Sequence, residues 1–461
     1  MSLWTAEEIA RATGGAVAGD FVANGVSIDT RTLEPGDFFV ALAGVRDGHE
    51  FLDAAFAKGA AGALVTRPVE GRPAVVVGDV QLALEALGQA ARDRSMAKRG
   101  AVTGSVGKTS VTQAVRAALA LAGRAHSSVK SYNNHIGVPL TLARMPRDTE
   151  RAVFEVGMNH ANEITPLSRM IRPHAALVTT VGPVHVENFP DGEVGVAQAK
   201  AEIFAGLEPG GAAVLNADNG WFDMLRTEAE RAGARVVSFG SGSECDAQLV
   251  GFEPREGGAR LSARFRGEPI AVELLQSGQH WGPNSLAVLL MAEALDVPLA
   301  TAVAALEGFA PLDGRGAERT VAIPGGSFTL VDESYNANPL SMTAAIRSFG
   351  ARRTQGRRIV ALTDMLELGP DSPRFHAAVA QDLEAARIDL VFAAGPHMAS
   401  LFDALPPTRR GAYAEGAAAL APRLAAEARP GDLIMVKGSN GSKANLLAQA
   451  LASLHQPQNG T

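Results

Sequence analysis

The chain has 461 residues, enough for roughly three domains at about 150 residues each. Hydrophobic residues make up 46% and charged residues 20%, a globular balance that excludes general disorder. Lys and Arg total 42 against 49 Asp and Glu, so the net charge of −7 argues against a broad nucleic-acid or anionic-membrane surface, while a local basic site for a small anion stays open. The single cysteine, Cys245, excludes an internal disulfide and a cysteine-clustered zinc site.

The first residues, MSLWTAEEIARATGG, lack a basic stretch followed by an apolar one and read as a short amphipathic helix. No apolar run is long enough to span a bilayer, so a cytoplasmic protein is expected. Up to about Arg99, short strand-like pieces (GVSIDT, DFFVAL, GALVT, AVVVG) alternate with helical stretches. A second block opens at Gly100 with a strand, a glycine turn and a long Ala-rich helix. Buried-strand candidates RAVFEVG, HAALVTTVG, GAAVLNAD and ARVVSFG follow, mostly separated by helices, which predicts a parallel sheet. ARLSARF and IAVELL then alternate as antiparallel strands with one solvated face. From about Asp313 the pattern is strand–helix repeated (SFTLVDE, RRIVALTD, LVFAAG, DLIMVKG), which predicts a small doubly wound domain. Asn338-Pro339 suits a helix start.

The strongest local signal is Thr103-Gly104-Ser105-Val106-Gly107-Lys108-Thr109-Ser110, between a strand and a helix. Glycines let the backbone turn so that N–H groups face an anion at the positive end of the helix; Lys108 suits β/γ-phosphates and the Thr109 hydroxyl suits Mg²⁺. The first glycine of the general G-x4-GK[ST] pattern is replaced by Val102, so only the tighter TGxxGKT form matches. Other polar residues fall where ligands bind in open parallel sheets, beyond the carboxyl ends of strands. Glu155 closes the strand AVFEV, His185 lies just past ALVTTVG, and Lys200 sits on a helix in VAQAKAEIF. A carboxylate near the phosphate loop suits Mg²⁺. Taken singly, these three also fit a surface acid, a satisfied loop histidine and a solvated helix lysine.

Together with TGSVGKTS, the stretches SIDTRTLEPGDFFVALAGVRDGHEF, NNHIGVPLT, FEVGMNHANEI, HVENF with AKAEIF, LNADN, SGQHWGPNSLA, DGRG, VDESYNANPLSM, TDMLELG and DLIMVKGSNGS appear in an order that resembles the Mur ligase family, the ATP-dependent amide-forming enzymes of peptidoglycan precursor synthesis. The resemblance covers nearly the whole chain. It implies an α/β fold of three domains: a small α/β UDP-sugar-binding domain over 1–99, a central P-loop parallel-sheet ATPase domain over 100–312 and a C-terminal Rossmann-like domain over 313–461. NNHIGVPLT, SYNANP and DMLELG match the member that adds D-alanyl-D-alanine to a UDP-linked tripeptide through an acyl phosphate, with ATP and Mg²⁺. A monomer without nucleic-acid partner or membrane insertion is expected.

The resemblance also implies roles. Gly104, Ser105, Val106, Gly107, Lys108, Thr109 and Ser110 bind ATP, with Lys108 on the γ-phosphate. Thr109, Glu155, His185 and Lys200 hold metal, Lys200 as the carbamate that several family members carry; the plain alternative is a lysine paired with Glu202 or another acid. His280 and Asn284 match the motif beside the ATP base. Arg315 and Asp332 match nucleotide contacts of the third domain, with Tyr335, Asn336 and Asn338 near the nucleotide or the closing cleft. Ser27, Asp29, Thr30 and Arg31 fall in the part that meets the UDP-sugar. Two positions depart from the pattern: Trp281 stands where Asn is common, and Thr363 replaces a frequent glycine.

Overall fold

Strands that are apolar on both faces need helices above and below them, and the centre of the molecule is built that way. The computed structural model describes residues 2–129, 131–184, 186–255 and 257–455. Among them the central sheet has nine strands, in the order Glu268–Leu274, Gly258–Phe265, Ala247–Arg255, Arg235–Gly240, Ala212–Asn216, Ala175–Val178, Lys98–Thr103, Arg151–Glu155 and Ala125–Ser127. The first three pair antiparallel with one another and the other six run parallel, as the alternating and the continuous apolar patterns predict. One face is covered by helices Lys108–Ala122, Trp281–Ala294 and Leu299–Glu307, the other by Gly137–Ala143, Ile164–Ile171, Glu193–Ala201 and Phe222–Arg231. Register sets Glu155 opposite Val102 and Val178 opposite Thr103, so three neighbouring strands end together at one rim.

Residues before this sheet form five strands in the order Ala16–Ala18, Ala74–Val76, Gly62–Val65, Asp37–Val40 and Gly25–Ser27, parallel except for the first pair. The amphipathic helix Ala6–Thr13 starts with a reciprocal cap between Thr5 and Glu8, which satisfies backbone N–H groups that a helix start leaves open. This region is tied to the central one by the Trp4 indole N–H donating to the Ala143 carbonyl at 2.8 Å and Arg144 Nε–H donating to the Val26 carbonyl at 2.6 Å.

The last sheet has six strands, in the order Ala317–Ile323, Gly326–Glu333, Leu433–Lys437, Arg358–Thr363, Leu390–Ala394 and Arg410–Ala414. The last five are parallel with helices on both faces. Ala317–Ile323 is an antiparallel edge that the sequence pattern did not single out: AERTVAI buries only Val321 fully, so its alternation is faint. Asn338 caps the helix Pro339–Gly350, its side chain accepting from Ser341 N–H, with proline in the first turn. Thr363 contacts Ser442 Oγ at 2.5 Å; Gly438 makes room for it, since a Cβ there would lie 1.7 Å from Thr363 Oγ1. Trp281 is buried in the core against Phe309, which is why an apolar ring serves there.

Candidate functional site

The strand Lys98–Thr103 runs into the glycine turn, and the helix Lys108–Ala122 leaves it. Gly104 has φ +146°, and a Cβ on it would sit 1.9 Å from Thr179 Oγ1, so no larger residue fits. Gly107 caps the helix at φ +88° with Asn284 beside it. Ser105 holds the turn down: its N–H donates to Thr180 O at 2.8 Å, its hydroxyl donates to Gly182 O and accepts from Gly182 N–H, each at 3.0 Å. Ser105 thus has both donors occupied here. The Val106 carbonyl accepts from Thr179 Oγ1 at 2.5 Å. What stays open is the first turn of the helix, Lys108 to Ser110, whose N–H groups lack carbonyl partners within the helix and carry the positive end of its dipole.

Lys108 Nζ donates to Gly104 O at 2.6 Å. Burial pushes its pKa down; Glu155 opposes the shift and Arg315 adds to it, so all three charges share one space. Glu155 is 1% exposed, which removes the reading of a surface acid. Its Oε1 accepts from Asn133 Nδ2 at 2.7 Å, while Oε2 is buried with no hydrogen-bond partner among the described residues. Lys200 is 2% exposed, so it is not a solvated helix lysine either. Burial first, and the Lys108 charge second, push its pKa far down. No ion pair reaches it among the described residues. Glu202, the acid considered for it, is engaged by the N–H groups of Asn162, Ile164 and Thr165. His185 lies outside the described residues.

The C-terminal region closes the other side. Arg315 stacks its guanidinium 4.1 Å from the centre of the Tyr335 ring. Asp332 accepts from Ser334 N–H at 3.0 Å, and Asn336 offers its carbonyl to the buried Lys437 Nζ at 3.1 Å. Lys437 also lies 3.5 Å from Glu333; burial pushes its pKa down, and that of His280 as well. His280, Arg315 and Glu333 line one crevice between the two sheets. Asn338 caps its helix and is occupied by that.

The Ser27–Arg31 turn is of another kind. The Ser27 hydroxyl is tucked under it, donating to Asp29 O at 3.1 Å. The Asp29 carboxylate accepts from Arg31 N–H at 2.9 Å and from its guanidinium at 2.7–3.0 Å, which holds its pKa down. Thr30 is part-exposed at the tip.

Residues 131–134 tie these regions together. Ser131 meets Thr109 and Tyr335, Tyr132 lies beneath Arg144, Asn133 holds Glu155, and Asn134 caps the helix Gly137–Ala143. Four successive side chains reach all three sheets' territories. Ser131 and Lys437 were not found by sequence reasoning, because their partners lie 204 and 101 residues away.

With this geometry in hand, residues 102–292 match the Mur ligase middle domain and residues 318–440 the Mur ligase, glutamate ligase domain. The UDP-N-acetylmuramoyl-tripeptide–D-alanyl-D-alanine ligase of Escherichia coli (strain K12) is 36% identical over 379 residues, 82% of either chain. The ligase of the same name from Bacillus subtilis (strain 168) is 32% identical over 431 residues, 92% of either chain. A crystal structure of MurF from Acinetobacter baumannii superposes with a TM-score of 0.85 at 27% identity, covering 98% of this chain and 99% of that one.

Proposed function

The chain belongs to the Mur ligase family, and from that premise we propose that it joins D-alanyl-D-alanine to UDP-N-acetylmuramoyl-tripeptide with cleavage of ATP to ADP and phosphate, yielding the pentapeptide precursor of peptidoglycan. The observation that carries this reading is Glu155 Oε2, without a hydrogen-bond partner among the described residues and buried at the strand rim beside Lys108 and the phosphate turn. A buried carboxylate oxygen without a donor calls for a cation. Thr109 and Glu155 offer hard oxygen, which fits Mg²⁺, and would hold it; a carbamylated Lys200 would add oxygen and His185 a ring nitrogen to a second. Bound there, Mg²⁺ supplies positive charge to the phosphate oxygens.

A carboxylate is a poor electrophile, and the tripeptide carboxylate and the γ-phosphate repel each other. Lys108 screens that repulsion, and the helix N-terminus presents N–H groups where charge collects. The carboxylate oxygen bonds to the γ-phosphorus as the bond to ADP breaks, giving an acyl phosphate. The dipeptide amine then bonds to the acyl carbon, the carbon–oxygen bond to phosphate breaks, and the amine loses a proton as the amide forms. The acyl phosphate is prone to hydrolysis, so the domains must exclude water around it. Burial shifts Lys200 toward its neutral amine, the form that adds carbon dioxide. Residues 1–99 would take the UDP-sugar at Ser27–Arg31, 100–312 the ATP phosphates, and 313–461 the far side of the nucleotide through Arg315, Asp332, Tyr335 and Asn336, with His280 and Asn284 beside the base. The chain would act as a cytoplasmic monomer; among the described residues no helix is long and apolar enough to cross a membrane.

The test is phosphate release from ATP with defined acceptors. Release that requires both UDP-tripeptide and D-alanyl-D-alanine supports the reading, and parallel arms with meso-diaminopimelate or L-lysine as third residue identify the tripeptide. Release with neither acceptor would mark a plain nucleotide hydrolase instead.

A further inference from the structure

Ser131 stands at the meeting point of the phosphate loop and the C-terminal region. Its hydroxyl lies 3.3 Å from Thr109 Oγ1 and 2.8 Å from Tyr335 Oη. Two other close approaches join the central and C-terminal regions. A Cβ on Gly182 would lie 1.9 Å from Leu340 Cδ1, and one on Gly369 would lie 3.1 Å from Glu187 Cβ. Of these three approaches between the central and C-terminal regions, the Gly182 one reaches the phosphate loop through Ser105, and the Ser131–Tyr335 contact is the one that reaches the Thr109 hydroxyl.

We propose that the hydroxyl row Thr109–Ser131–Tyr335 is a clasp: a cation on Thr109 gives the row a single direction of donation and so tightens the C-terminal region against the phosphate loop, with Ser131 as the positioning residue. The proposal rests on the reading of Thr109 as a metal-holding side chain. A hydroxyl carries one hydrogen and two lone pairs. With nothing on Thr109, the row can donate in either direction. A cation on one lone pair of Thr109 Oγ1 withdraws electron density from that oxygen, which makes it a better donor and a poorer acceptor, and it also disfavours the approach of the Ser131 hydroxyl hydrogen. Thr109 then donates to Ser131, and Ser131 donates to Tyr335. Aligned hydrogen bonds polarise one another, and the cation acidifies the first donor, so the bond that crosses between domains strengthens. A ligand shifts a conformational equilibrium only by what it contributes differently to the two states; here that difference is carried by a bond that exists only when Tyr335 is docked. Arg315 over the ring keeps the phenol in place from its own side. Tyr335→Phe preserves that stacking and removes only the hydroxyl, which separates the clasp from packing.

Hydrogen exchange of the backbone amides of 334–338 in the full chain, with ADP alone and with ADP plus Mg²⁺, tests this. In the wild type, Mg²⁺ should slow exchange about tenfold beyond ADP alone, the size of one hydrogen bond. Ser131→Ala and Tyr335→Phe should lose that increment, and Ser131→Thr, which keeps the hydroxyl, should restore it. The kcat of ligation should fall about tenfold in each single variant and by about the same factor, not a hundredfold, in the double, because one row is broken once. The clasp is overturned if Ser131→Ala keeps the metal-dependent protection, if Ser131→Thr behaves as Ser131→Ala, or if the two losses multiply. Failure of the ligase reading is separate: it would appear as a wild type that makes no pentapeptide, whatever its exchange pattern.

Discussion

The phosphate turn and the Ser27–Arg31 turn both follow a buried strand of a parallel sheet, yet they treat polar groups in opposite ways. In Ser27–Arg31 the turn closes on itself: Asp29 accepts from the backbone and side chain of Arg31, whose side chain is 87% exposed. Around the phosphate turn, two lysines are pushed toward neutrality by burial, neither forms an ion pair among the described residues, and a carboxylate oxygen has no donor. The first turn is complete in water and only presents a shape. The second is incomplete without charged groups from outside. Substitutions in the incomplete region should therefore abolish chemistry while sparing stability, whereas those in the complete one should weaken binding of one substrate.

The largest effect expected is that of Lys108→Ala. Ligation should fall about a thousandfold or more, as for loss of a group that meets transition-state charge. The melting temperature should change little, because the desolvation cost of a buried cation is removed together with its attraction to Glu155. Near-normal pentapeptide formation would break the contrast at its stronger end. Lys200→Ala should also be inactive, and formate or acetate should restore part of the activity by occupying the carbamate's place. Full activity without either additive would leave Lys200 a packing residue. Arg31→Ala should raise KM for the UDP substrate several-fold and leave KM for ATP unchanged, with no measurable change in melting temperature. Equal effects on both KM values would make the turn merely structural.

The smallest effect lies outside both regions. His376 is buried, its Nε2 accepting from Met365 N–H at 2.9 Å and its Nδ1–H donating to Ser372 O at 2.7 Å. Burial, and secondarily the stacked His397, hold its pKa below the ordinary 6.5, while Ser372 O and Asp364 pull the other way. The folded form therefore binds fewer protons than the unfolded one. Its stabilising contribution is complete above about pH 6.5 and is lost as pH falls toward the depressed folded value. Melting curves from pH 7.5 to 5 should slope downward with acid, and His376→Gln should flatten that slope. An unchanged slope would show that other groups carry the acid sensitivity.

What the sequence disclosed follows from the range of each interaction. The phosphate turn was legible because strand, glycines and helix are contiguous and each residue's role is local. Glu155 was legible as the last residue of its strand, although its burial and its empty oxygen were not. Lys200 could be assigned by resemblance, but a surface lysine and a buried one look alike in a helix of low amphipathicity. The strand Ala317–Ile323 escaped because an edge strand has one neighbour and carries Glu318, Arg319 and Thr320 outward. Ser131 escaped for a different reason: serine before two asparagines reads as loop, and its meaning arises only when Tyr335 arrives from the far end of the chain.

The tie between Trp4 and Ala143 has a bearing on biosynthesis. The indole N–H of the fourth residue finds its acceptor 139 positions later, and Val26 O waits for Arg144 in the same way. At a translation speed of about 5–20 residues per second, roughly 7–28 s separate the emergence of the two ends of that bond from the ribosome. During that interval the first sheet is held by its own strands while the helix Val80–Asp93 presents an apolar side still lacking Leu140 and Ala143. A truncation before residue 144 should therefore yield an aggregation-prone fragment rather than an independently stable domain.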